Sequence, residues 1–286
     1  QRPAAGLGVL APRLGHPEVD ELHPAVEGHD QVRRRDVAVH EVERALVGAV
    51  LAAVVLGICT SLMHGGASAR LVFIPLVRRP GQHILIATIG LALFASELMR
   101  LTQGAGGGWM PTPLSRPIGL VRAGDFVVTL TPMVLLVSVV ALAAGAAVLA
   151  LIERSPFGRA WRASADDPLA ASLMGVDPDG VLLRTLLLAS LLAGLAGVLT
   201  TLYYGGVGHA GGFAIGLKAL IGAVIGGIGS VAGGLVGGML LGLAEAVWST
   251  AFPVEYRDAA IFSGLAAMLI LRPDGLMGRN DSSRRV

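Results

Sequence analysis

The sequence predicts an all-α fold, a polytopic bundle of transmembrane helices with about six apolar segments and a broken helix pair around residues 226–230. Three observations lead there. The chain of 286 residues is 53% hydrophobic and 15% charged, against about 25% charged in soluble domains. That is too little polar surface to cover a soluble core of this size. The apolar residues are gathered into long runs, the pattern of segments that cross a bilayer. Glycine is abundant, at 40 residues, while aromatics make up 5%; small residues suit the close approach of helices in lipid.

Residues 1–44 differ in character from the rest of the chain. They hold His16, His23, His29 and His40, the run Arg33-Arg34-Arg35 and no sustained apolar stretch. No apolar core follows their charges before residue 45, so they do not read as a signal peptide. The four histidines lack metal-ligand spacing, and the composition predicts disorder. From 45 to 271 apolar segments come in series: 45–63, 84–99, 126–152, 182–203, 216–248 and 256–271. A span needs about 20 residues, so the shorter runs must extend into their flanks. Cys59, the only cysteine, lies in the first run and reads as a small buried hydrophobe.

Arginine positions give an orientation. Connections 64–83 and 153–181 and the tail 272–286 are arginine-bearing and expected in the cytoplasm. Connection 100–125 also has arginines but is rich in Pro and Gly, and is expected outside. Segment 216–248 must then leave from and return to the outer side. One straight helix cannot do that; two short helices broken at Gly226, Gly227, Gly229 and Ser230 can. Irregular backbone at membrane depth survives only where protein or a watery cavity covers it, and transporters place such breaks at their pathways. The same glycines also fit small-xxx-small packing, as in Gly222/Gly226, Gly229/Gly233/Gly237 and Gly234/Gly238/Gly242.

Two groups of polar residues stand out. The first is the 153–181 connection, too long for a simple link between helices. Within it Asp167 reads as an N-cap, Pro168 as the first helical residue and Gly175 as the C′ position. The short helix between them carries Leu169, Ala170, Ser172, Leu173 and Met174, with Asp166 just before it. Exposed apolar residues there suit either a partner's groove or the membrane surface. The second group is Lys218, the only lysine, and Glu245, in the glycine-rich stretch. An ionisable side chain at depth costs about 2.5–3.5 kcal/mol on insertion scales, which makes both candidates for a translocation pathway. Lys218 lies closer to the outer interface. Arg257 and Asp258 read as boundary markers of the last run, and Tyr203 and Tyr204 as interfacial anchors. There is no Walker motif, no G-x-S-x-G and no H-E-x-x-H. No catalytic, metal or cofactor site is expected, and no nucleic-acid partner.

From about residue 65 the chain resembles the LivH-type permeases of branched-chain amino acid ABC importers. The matching pieces are RLTQGA at 100–105, FGRAWRASADDPLAASLMGVD at 157–177, AGLAGVL at 193–199, GLKALIGAVIGGIGSVAGGLVGG at 216–238, LGLAEA at 241–246 and LRPDGLMGR at 271–279. The resemblance implies a subunit of a bacterial inner-membrane importer for leucine, isoleucine and valine. A second related permease subunit, two cytoplasmic ATPase subunits and a periplasmic or lipid-tethered binding protein would complete it. It also implies that the 157–177 segment meets the ATPase, which favours partner docking for the short helix. Alternatives are an importer of urea, short amides or other amino acids, an ion-driven secondary transporter, and a truncated, non-functional permease. Residues 1–44 match nothing in the family's opening spans and are expected to come from a wrong frame, a misjudged start or a truncation.

Overall fold

A computed structural model describes residues 48–77, 79, 82–104, 106, 108–109, 118–123, 126–206, 208, 211–227 and 229–278. Polar segment 1–44 lies outside them. The chain divides into two units, 1–53 and 54–286. Of the first, residues 48–53 are described, and they are helical.

The elements in chain order are α1 (Gly48–Val77), α2 (His83–Gln103), a hairpin of β1 (Ile118–Ala123) and β2 (Phe126–Leu130), α3 (Pro132–Arg154), α4 (Pro156–Asp166), α5 (Pro168–Leu173), α6 (Pro178–Tyr204), α7 (Gly211–Gly226), α8 (Val231–Ala251) and α9 (Arg257–Leu271). A 3₁₀ turn, Val254–Tyr256, precedes α9. Among the described residues α1, α2, α3, α6 and α8 are long and apolar enough to cross a membrane. Over the described residues the molecule is a multi-pass, all-α membrane protein apart from the β1–β2 hairpin.

Local sequence explains where the elements change. Pro75 lies in the last turn of α1. It has no N–H to donate and its ring crowds the carbonyl four residues back. The helix absorbs this by widening to a π-turn over Ala69–Phe73, with the Ile74 N–H reaching Ala69 O. The run expected over 126–152 is not one helix. Its first residues, Phe-Val-Val-Thr-Leu, are β-formers and pair antiparallel with 118–123. The helix starts only at Pro132, which fits the first helical position. α6 ends at Tyr204, whose ring meets that of Tyr203 edge-on at 4.8 Å.

The described residues have a thin core. Met133, Val181, Leu199, Leu202, Ile221, Leu241 and Ile261 are buried, while dozens of Leu, Ile, Val, Phe and Met side chains are exposed. Lipid tails are as apolar as leucine, so exposure of such side chains carries no hydrophobic cost there. Cys59 is likewise exposed. The expectation that it is buried fails because an apolar run in a membrane protein faces lipid as readily as core.

Helix contacts rely on small residues instead. Ser61 Oγ of α1 donates to Ser190 O of α6 at 2.6 Å. A Cβ at Gly65 would strike Ser190, and one at Gly194 would lie 2.8 Å from Ser61 Cβ. Gly145 of α3 similarly receives Leu235 of α8. Gly194→Val should therefore push α1 from α6. The expected cost is about 1–3 kcal/mol, typical of overpacking, seen as a lower thermal midpoint of the purified protein in detergent. An unchanged midpoint would refute this contact.

Candidate functional site: the α4–α5 elbow, the α7–α8 break and an ion cluster

The 153–181 connection folds into two helices. α4 was not expected, although its signal is present: Ser155-Pro156 is an N-cap followed by a first-position proline, and Ser155 Oγ accepts from Gly158 N at 3.1 Å. Gly158 packs on the Ile152 carbonyl, where a Cβ could not fit. Arg162 donates to the same carbonyl at 2.7 Å. The end of α3 is thus capped by α4, and the elbow is fixed.

α5 matches the sequence expectation closely. Asp167 Oδ1 accepts from Leu169 N at 2.9 Å and from Ala170 N at 3.0 Å. The helix runs Pro168–Leu173, so Met174 is its C-cap rather than its last residue. Gly175, at φ +83°, supplies the left-handed turn that closes a short helix; Val176 N then donates to Ala171 O at 3.0 Å. Ser172 Oγ turns back to donate to Leu169 O. Ala171 anchors the inner face at 5% exposure, while Leu169, Leu173 and Met174 are 72%, 81% and 86% exposed. Ala170, Asp166 and Asp167 are also on the surface. The fold holds this helix by both ends and leaves its apolar side uncovered.

The expected break is present. α7 ends at Gly226 and α8 starts at Val231, with Ser230 as N-cap accepting from Gly233 N at 3.0 Å. Only α7 is short: 16 residues at 1.5 Å each give about 24 Å, while α8 has 21 residues. The two helices touch backbone to backbone. A Cβ at Gly222 would lie 3.1 Å from Gly238 Cα, and Cβ atoms at Gly226, Gly233 and Gly237 would strike carbonyls of the facing helix. Gly229, Gly234 and Gly242 meet nothing. The packing reading therefore holds for Gly222/Gly226 and for Gly233/Gly237, one pair on each helix, and not for Gly229 or for Gly234/Gly238/Gly242.

The break lies against the tail. Leu276 N donates to Ile225 O at 3.0 Å and Met277 N to Gly226 O at 2.9 Å. Gly227 has φ +111°, and a Cβ there would meet Gly278 Cα at 2.8 Å. The last carbonyls of a helix have no partner within it; here residues just beyond α9 supply the donors. The break is thus level with the end of α9 rather than midway along it.

Toward the other end of these helices, Lys218 Nζ of α7 lies 2.7 Å from Glu245 Oε1 of α8 and 3.2 Å from Asp258 Oδ1 of α9. Glu245 Oε1 is buried, and the Lys218 contact is a close ion pair without aligned hydrogen-bond geometry. Arg257 Nε is 3.9 Å from Asp258 Oδ1. Sequence reading singled out Lys218 and Glu245 separately but missed that they meet, and it took Asp258 for a boundary marker. The spacing did not announce it: Lys218 is eight residues before the break and Glu245 fifteen after it, an offset of about 10 Å along the helices that the long lysine side chain spans. Among the described residues no group of His, Cys, Asp and Glu could hold a metal.

The tail contact makes a direct prediction. Gly227→Val should dislodge the tail, because it forces a branched side chain into a left-handed conformation against Gly278. Hydrogen exchange at Leu276 and Met277 should then accelerate to the rate of an open chain; continued protection would show that the tail does not depend on this approach.

A family model described as "Branched-chain amino acid transport system / permease component" matches residues 37–271. The "High-affinity branched-chain amino acid transport system permease protein LivH" of Escherichia coli is 33% identical over 216 residues, covering 76% of this chain and 70% of LivH. LivH of Salmonella typhimurium matches with the same identity and coverage. BraD of Pseudomonas aeruginosa, a permease protein of the same description, is 33% identical over 232 residues, covering 80% of this chain and 75% of BraD. No solved structure matches. The family match starts before residue 45 and takes in the elbow, the glycine hairpin and the ion cluster, so the chain belongs to the permease family of branched-chain amino acid transport systems.

Proposed function

We propose that this chain is the membrane-spanning permease subunit of a bacterial inner-membrane ABC importer that carries leucine, isoleucine and valine. The relatives' printed function supports the substrate class. A second related permease subunit would complete the pathway, two cytoplasmic ATPase subunits would drive it, and a periplasmic or lipid-tethered binding protein would deliver the amino acid. Transport would be by alternating access, with Lys218, Gly226, Gly227, Gly229, Ser230 and Glu245 beside the pathway.

One observation carries the proposal: Leu169, Leu173 and Met174 are left bare on a helix that is otherwise fully capped. Closure of an ATPase dimer has to reach the spans through a rigid part. α5 is joined to the end of α3 through α4, whose Gly158 and Arg162 grip the Ile152 carbonyl. A push on α5 would therefore be transmitted to α3, and through the Asp177-Pro178 start of α6 to α6 as well. The helix-in-groove mode of recognition suits apolar anchors at this spacing.

Leu173→Asp should abolish co-purification of the ATPase subunits while the permease still inserts in the membrane. Asp167→Ala removes the N-cap, at a cost of about 1 kcal/mol, and should weaken the same association without eliminating it. Retention of the ATPases by Leu173→Asp at the wild-type level would rule out α5 as the contact. Radiolabelled leucine uptake by the assembled complex in proteoliposomes, dependent on ATP and binding protein, tests the substrate class; uptake of urea or short amides in its place would reassign it.

A further inference from the structure

The hairpin of α7 and α8 is held differently at its two ends. Near the break the backbones interlock through Gly222, Gly226, Gly233 and Gly237, and the tail adds two hydrogen bonds to Ile225 and Gly226. Toward the far end, a Cβ added at Gly216 of α7 or at Gly242 of α8 would meet nothing within 4 Å. There the three helices are bridged by Lys218, through Glu245 of α8 and Asp258 of α9.

The ion cluster also stacks on an apolar one. Ile221, Leu241 and Ile261 form a buried cluster, with Ile225 and Leu265 packed against it. Lys218 is three residues from Ile221, Glu245 four from Leu241 and Asp258 three from Ile261. Those spacings put each charged residue one turn from its apolar counterpart on the same helix face. Each of α7, α8 and α9 thus contributes one side chain to an apolar layer and one to an ionic layer beyond it.

We propose that Lys218, Glu245 and Asp258 form an ionic latch on this end of the three-helix unit, and that Asp258 is its releasing arm. The proposal rests on the transport reading and adds a part to it. The two arms are unequal. Glu245 makes the shorter contact and its side chain is 23% exposed, whereas Asp258 makes the longer one at 63% exposed. A carboxylate separated from its cation at Glu245 would be stranded without water, which is costly. Asp258 stands in the first turn of α9 at the boundary of the last apolar run, where interfacial water can replace the lost partner and the positive end of the helix dipole supports the charge. Lys218 therefore stays with Glu245 while α9 parts from it. The interlocked, tail-bound end acts as the hinge. Asp258 acts through Lys218, so it is a positioning residue of the transport pathway.

The test is Asp258→Asn beside Asp258→Glu in the full complex. Asp258→Asn should raise ATP hydrolysis in the absence of binding protein several-fold and lower leucine uptake per ATP consumed, because the unit no longer closes. Asp258→Glu should restore both. Wild-type values in Asp258→Asn, or equal defects in the two variants, would overturn the latch. A wild-type complex that takes up no leucine would instead overturn the transport reading. The latch is still decided in that case, by hydrogen exchange on the purified permease alone. Amides 261–264 should exchange faster in Asp258→Asn than in wild type or Asp258→Glu, with Leu276 and Met277 unchanged. Equal exchange in all three would again count against it.

Discussion

In the hydrocarbon region of a bilayer no water is available to a backbone carbonyl, so each one must find its donor within the protein. Much of the irregular structure in this chain extends the same accounting to the places where the helices stop or distort. α3 ends with a free carbonyl at Ile152, and Arg162 reaches back across ten residues to it. Pro75 removes a donor from α1, and the helix widens by one residue to re-pair around it. α7 ends well short of a full span, and the chain beyond α9 returns to close its last turn. None of these is an arbitrary local preference; each pairs a backbone group that the end or distortion of a helix would otherwise leave open.

The second theme is how little side-chain volume the helix contacts use. A soluble bundle interlocks large apolar side chains, and their removal from water is the driving force. Here that force is absent between helices, and attraction depends on how closely two backbones approach. Gly222, Gly226, Gly233 and Gly237 show the limit of that approach, with helix carbonyls occupying the space of a missing Cβ. Such an interface is stiff, because a sliding motion would drive backbone into backbone. A pair of helices joined this way moves as one body or splays from its looser end.

How much of this was legible in the sequence varied with the physics involved. The spans, the break at 226–230 and the capped helix at 168–173 were readable, because long apolar runs, glycine pairs and Asp-Pro each impose local structure. The 118–130 hairpin was not separated from the run behind it, since valines before a helix look the same to a hydropathy count whether paired in a sheet or buried in lipid. α4 was overlooked although Ser155-Pro156 announces it. Least visible were the long-range meetings. Asp258 beside Lys218, and Leu276 beside Ile225, depend on how three helices are threaded, and no local pattern encodes that.

The docking of residues 275–278 onto the end of α7 has a bearing on how the molecule is made. Chains emerge from the ribosome N-terminal end first, so α7 and α8 are complete before the residues that finish them exist. Until Leu276 and Met277 are synthesised, the carbonyls of Ile225 and Gly226 have to stay where water or the insertion machinery can solvate them. The hairpin can therefore reach its final pairing only once those two residues have been made. A polypeptide halted between the end of α9 and Leu276 would present the cell's quality control with an otherwise well-packed bundle bearing one unfinished helix end.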